Sequence, residues 1–186
     1  MKKLTTVVTM ALIFTGMVRG ADRSEEGIPM SPLKIYSGGF GIGALMSLNE
    51  ELQDVSRQFF RLSMVNTFTV RDNLALFLDV DWYIPKSNIG ADLGVDFIFL
   101  RSDFRPFAGI GCGAHYIDRD EEFGNSFGPS LTAHVGFTLD LNENVAVRMR
   151  LPYHFILNEH RDNVAGLDFG FIFSSRFKKV RKLNYN

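Results

Sequence analysis

The chain is poor in cysteine. Cys112 is the only one among 186 residues, which excludes a disulfide framework. Long apolar runs are missing as well. No window approaches the roughly 20 apolar residues of a membrane-spanning helix, and the apolar fraction of 46% is ordinary, so a bundle of transmembrane helices is excluded. Charge of one sign is absent in bulk: a net charge of −1 gives no general attraction to nucleic acid, and no nucleic-acid partner is expected. Cys112 lies far from the N-terminal apolar stretch, so it is not a lipid-attachment cysteine. It reads as a small apolar side chain on an outward strand face.

What the chain has instead is phenylalanine (18) and glycine (17), arranged with a period of two. The N-terminus has a different character. Lys2 and Lys3 precede a short apolar run over residues 4–17, and Val18-Arg19-Gly20 follows it. This pattern predicts a signal peptide over residues 1–20, cleaved after Gly20, and hence Gram-negative-type export. Residues 21–33 are polar, with Pro29 and Pro32, and read as a periplasmic linker. Residues 34–177 form one domain, and residues 178–186 form a basic periplasmic tail.

Within that domain, eight segments alternate apolar and polar residues: 34–48, 59–70, 74–84, 89–99, 106–117, 127–140, 145–156 and 163–177. Residues 74–100 show the pattern most plainly. Leu74, Leu76, Leu78, Val80, Trp82 and Ile84 share one face, with Asp79 and Asp81 on the other. After Pro85-Lys86-Ser87-Asn88 the parity swaps, so that Ile89 to Phe99 is apolar at odd numbers, with Gly90, Asp92, Gly94 and Asp96 between them. Period two means strands with one apolar face. A soluble sheet that buries this face has no need for so many glycines opposite it, whereas a transmembrane barrel needs lipid-facing bulk outside and small polar residues inside. Asn66 interrupts the apolar face of the second segment. The connections alternate. Residues 71–73, 101–105 and 141–144 are short; residues 49–58, 118–126 and 157–162 are longer and polar, and the Pro85 turn is a short member of that second set. Short turns in the periplasm and longer loops outside, with an even strand count, put both termini in the periplasm. The expected fold is all-β: an eight-stranded antiparallel up-and-down transmembrane β-barrel with a filled polar lumen.

The inward parity carries complementary charge. Asp79, Asp81, Asp92 and Asp96 lie on strands three and four, Arg61 on strand two, Arg148 and Arg150 on strand seven, and Asp168 and Arg176 on strand eight. Buried charges are tolerable when paired, so these residues read as a structural ion-pair network, with Arg148 and Arg150 as partners of the aspartates. A narrow polar channel is the functional alternative. Tyr36, Phe40, Phe60, Trp82, Tyr83, Tyr116, Phe127, Tyr153 and Phe177 fall near strand ends and read as interface girdles.

With these features the chain resembles the small eight-stranded outer-membrane barrels of the OmpA/OmpX type. Pro106-Phe107-Ala108-Gly109-Ile110-Gly111-Cys112-Gly113 is similar to that family's glycine-rich mid-barrel strand. Gly170, Phe173 and Phe177 resemble the C-terminal assembly signal, although Ser175 stands where an aromatic is usual and a tail follows. The resemblance implies residence in the cell outer membrane, with its lipids and the barrel-assembly machinery as partners. The implied role is structural or adhesive, porin-like in shape and without a cofactor; the loop partner stays open. An enzymatic alternative rests on Tyr153-His154 through Asn158 and Asp168, which resemble the outer-membrane lipid A deacylases. Their serine position holds Ile156 here, so no catalytic residue is assigned. The acidic loop 118–122 matches no calcium-loop spacing, and no metal site is expected. A periplasmic lipocalin-like binder, with the faces inverted, is the remaining alternative.

Overall fold

The computed structural model describes residues 36–71, 73–100, 102–119 and 125–175. Eight strands run in chain order: β1 (Tyr36–Ser47), β2 (Gln58–Arg71), β3 (Leu74–Ile84), β4 (Asn88–Ile98), β5 (Phe104–Ile117), β6 (Ser126–Asp140), β7 (Val145–Ile156) and β8 (Asn163–Ser175). Each pairs antiparallel with its sequence neighbours, and β8 pairs with β1, so the sheet closes into a barrel. The alternation that defines the strands also decides which way they face. On β3, Ala75, Phe77, Asp79, Asp81 and Tyr83 are buried, while Leu76, Leu78, Val80, Trp82 and Ile84 are exposed.

The outside is apolar over most of its height. Phe40, Ile110 and Phe127 are 65%, 63% and 71% exposed, and Cys112 is exposed on the same outward face. An exposed apolar surface this extensive is costly in water and suits hydrocarbon. It overturns the lipocalin-like alternative, which requires these side chains inside. Asn66 costs this surface little, because the Tyr36 hydroxyl donates to its Oδ1 at 2.8 Å. Tyr83 departs from the girdle expectation: it is 3% exposed and points inward, because it shares the parity of Asp79 and Asp81.

The two ends differ. One carries the short turns and the paired ends of β1 and β8. The other carries the three longer connections and the Pro85 turn, and a short helix, α1 (Glu50–Val55), lies in the first of them. Leu52 of α1 is fully buried with Leu45, Phe59, Tyr83, Ile117, Ile156 and Val164. The connection predicted to be simply polar therefore supplies the apolar lid of the lumen. β5 starts two residues before the expected Pro106, since Phe104 and Arg105 pair with Leu139 and Thr138 of β6. Pro152 of β7 has no amide hydrogen, and the β7–β8 register skips from Arg150 to Tyr153 there. The leader, the linker, Arg176, Phe177 and the basic tail fall outside the described residues.

The inside-out partition makes a direct prediction. Leu78→Arg, at the middle of β3 on the outward face, will destabilise the barrel in bilayers by about 2–4 kcal/mol. Urea titration of the lipid-reconstituted protein measures this, and a Leu78→Arg barrel as stable as the parent would contradict a lipid-facing surface.

Candidate functional site

Eight strands leave an interior just wide enough for side chains to fill, and here charged groups fill it. Arg61 on β2 grips Asp81 on β3 with two parallel hydrogen bonds, Nε to Oδ1 at 2.9 Å and Nη2 to Oδ2 at 2.8 Å. Its Nη1 donates to Asp168 Oδ2 on β8 at 3.0 Å. Arg150 on β7 donates to the same Asp168 oxygen at 2.6 Å and, through Nη1, to Asp79 across the barrel. Two guanidiniums and three carboxylates thus form one fully buried cluster, whose bidentate member is the strong form of a charged hydrogen bond.

Towards the short-turn end, Arg148 donates to Asp96 Oδ2 at 2.8 Å and to Thr67 Oγ1 at 3.1 Å. Its guanidinium lies 4.2 Å from the centroid of the Phe107 ring, an added cation–π contact. His134 Nε2 lies 2.6 Å from Asp96 Oδ1, and its ring meets Phe77 and Phe107 edge-on. A vestibule opens from this end as far as Asp96 and Arg148, and Arg105 pairs with Asp140 at its mouth. Glycine makes this packing possible. A Cβ at Gly109 would collide with both His134 Nε2 and Asp96 Oδ1.

Towards the looped end the chemistry changes. Asp92 of β4 stands directly opposite Asp79 of β3 in the register, a like-charge pairing that is unfavourable unless each finds its own cation. Asp79 turns to Arg150. Asp92 instead accepts from Ser130 Oγ at 2.8 Å and lies 3.1 Å from both His115 Nε2 and His154 Nδ1. Above this layer sit Tyr83, stacked on His115 with ring centroids 5.8 Å apart, and the apolar lid.

The lid is locked by a second, separate ion pair. Arg119, after β5, donates through Nη2 to both oxygens of Asp162, before β8, each at 2.6 Å. Arg119 Nη1 also reaches the Glu51 carbonyl of α1 at 3.3 Å. Asn158 and Asn49 donate to Asp162, and Asn49 Oδ1 accepts from the Asn163 amide. Three connections are therefore tied together around one buried carboxylate.

Of the residues expected to form one network, Arg61, Asp79, Asp81, Asp92, Asp96, Arg148, Arg150 and Asp168 all face inward and are buried, but their ion pairs fall into separate groups. The pairing is more selective than expected. Arg150 takes Asp79 and Asp168, Arg148 takes Asp96, and Asp92 takes no arginine at all. Of the assembly-signal residues, Gly170 packs inward against the β1 backbone and Phe173 is exposed outside. His115, His134 and Ser130 were not singled out in the sequence, although their inward parity marked them. Arg119 was read only as part of the acidic loop 118–122 and Asp162 gave no signal, because loop residues have no period that would pair them. The deacylase-like residues do not assemble: Asp168 serves two arginines, His154 faces Asp92, and Ile156 is buried in the lid.

Removing one partner of a buried ion pair strands the other, at a cost of about 3–5 kcal/mol. Arg150→Met will lower unfolding stability by that amount in a urea titration, and adding Asp79→Leu will recover part of it. Equal stabilities for all three proteins would contradict the network. Arg119→Met will untie the lid, read by mass spectrometry as faster trypsin cleavage after the exposed Arg161. An unchanged cleavage rate would mean that the ion pair does not hold these loops.

No family model matches the chain, and no curated relative matches it. Solved structures do. A de novo designed transmembrane β-barrel is 12% identical, with 78% of this chain and 100% of that chain covered and a TM-score of 0.53. The N-terminal β-barrel domain of Pseudomonas aeruginosa OprF is 18% identical, with 74% and 97% covered and a TM-score of 0.52. Neisserial surface protein A is 15% identical, with 75% and 96% covered and a TM-score of 0.54. At these identities the likeness is one of architecture: the chain has the closed, eight-stranded, up-and-down fold of the small transmembrane β-barrels.

Proposed function

We propose that this chain is an integral outer-membrane barrel that works through its looped end, with a structural or surface-interaction role and no catalysis. The observation that carries the proposal is the inside-out partition. Large apolar side chains cover the outside, and the ionisable ones are sequestered in a paired lumen. Two of the similar solved structures are bacterial barrels, one from Pseudomonas aeruginosa and one from Neisseria, which favours the outer membrane over any other bilayer. Both termini are taken as periplasmic, with the looped end outside the cell. The partners are outer-membrane lipids along the apolar belt and the barrel-assembly machinery along β8, where Gly170 and Phe173 lie.

The lumen supports a plug better than a pore. Arg150 crosses it to reach Asp79, Arg61 and Arg150 share Asp168 beside it, and the apolar lid closes the looped end. The vestibule at the short-turn end reaches only as far as Asp96 and Arg148. A rigid, loop-bearing plug suits presentation of a surface rather than transport.

Two measurements test this. The protein will fractionate with the outer membrane and change gel mobility on boiling; a soluble periplasmic protein with no mobility shift would overturn the membrane reading. Reconstituted in planar bilayers, it will show no stable ohmic conductance. Steady unitary channels would instead establish a pore.

A further inference from the structure

Asp92 is the exception in the lumen. Among the described residues, five inward carboxylates (Asp79, Asp81, Asp92, Asp96 and Asp168) face three inward guanidiniums, those of Arg61, Arg148 and Arg150. Every one of these aspartates except Asp92 pairs with an arginine. Counted in guanidiniums alone, the lumen is short of two positive charges, and the carboxylate without an arginine is 2% exposed. Burying such a charge without a cation is prohibitive.

The surrounding groups show where that cation belongs. The Tyr83 hydroxyl donates to Asp81 Oδ2 at 3.2 Å. The same hydroxyl lies 3.3 Å from His115 Nδ1, within hydrogen-bond reach. The other ring nitrogen of His115, Nε2, faces Asp92 Oδ2 at 3.1 Å. His154 points into the same place from β7. Its Nδ1 is 3.1 Å from the same Asp92 oxygen, yet neither of its ring nitrogens makes a hydrogen bond, although the side chain is 2% exposed. One donor atom from each of the three residues lies within 4.8 Å of the others.

We propose that Asp92, His115 and His154 bind one divalent ion of the zinc class in the barrel interior, joining β4, β5 and β7. The donor set, two imidazoles and a carboxylate, is one that zinc accepts, with a water in the fourth position. Two ligands of a tetrahedral ion with bonds of about 2.0–2.1 Å are about 3.3 Å apart, close to the 3.1 Å found here. The outer shell is in place too. Ser130 holds the second oxygen of Asp92, and the Tyr83 hydroxyl is hydrogen-bonded to His115 Nδ1, the kind of support that orients metal-bound ligands. A doubly charged ion also matches the missing positive charge. Because the site lies beneath the Leu52 lid, the ion enters as the barrel folds.

The test uses the full chain, folded into detergent micelles with zinc or cobalt and freed of unbound metal by gel filtration. Elemental analysis will find one zinc per barrel, and the cobalt form will show the intense visible bands of a tetrahedral site. His115→Gln and His154→Gln will each lose that equivalent while retaining the mobility shift on boiling. Ser130→Ala will weaken binding about tenfold, and His160→Gln, on an exposed loop, will leave it unchanged. Should the two histidine variants fail to fold, the wild-type barrel refolded with a chelator will unfold at lower urea than the zinc-loaded one. A folded wild type without stoichiometric zinc, weak octahedral cobalt bands, or zinc retained by both His115→Gln and His154→Gln would overturn the site.

Discussion

Everything in this barrel follows from the backbone hydrogen bond in a medium without water. A strand edge left unpaired in hydrocarbon costs several kcal/mol for each group, so the sheet must close, and with eight strands it closes around a very narrow lumen. The β1–β8 pairing, running unbroken from Tyr36↔Ser175 to Ser47↔Val164, is that closure. It forces the outer residues to be apolar, because they meet lipid. It forces the inner residues to share a small volume, because there is no second sheet to pack against.

Volume is shared by placing long and absent side chains on different walls. Arg61, Arg148 and Arg150 rise from β2 and β7 and reach across, while β1 and β5 carry glycine where those walls must stay thin. Gly41 is the clearest case on β1, since a Cβ there would strike Ser63 Oγ and Asp168 Oδ1. Gly113 leaves space for Asp92, and Gly90 for the ring of His115. Gly41, Gly90 and Gly109 are thus complements of the polar side chains they face, while Gly39, Gly43, Gly94, Gly136, Gly166 and Gly170 lie closest to a neighbouring strand's backbone carbonyl.

The strands were legible because period two survives in every one of them, and parity alone placed Asp79, Asp81, Asp92 and Asp96 inside. What parity cannot give is the offset between non-adjacent strands. Arg150 on β7 reaches Asp79 on β3, four strands away in either direction round the closed barrel, and that depends on stagger, which no alternation encodes. The same limit hid the histidines' partners, and a strand-end rule for aromatics misplaced Tyr83, whose parity was the better guide. The Arg119–Asp162 lock lies in loops, where neither period nor spacing carries information.

The two ends of the lumen then divide the work of stability. At the short-turn end, Asp96 and Arg148 are buried but line the floor of an open vestibule. At the looped end, Leu52 and its neighbours exclude water, and every polar group beneath them depends on a protein partner or a bound ion. A buried polar network is favourable only when complete. The looped end is therefore where a single missing partner matters most, and it is where Asp162 collects Arg119, Asn158 and Asn49, and where Asp92 collects Ser130, His115 and His154. Ordering the loops around such centres keeps the membrane-distal surface in one shape, which is the physical requirement for a recognition surface carried on a closed barrel.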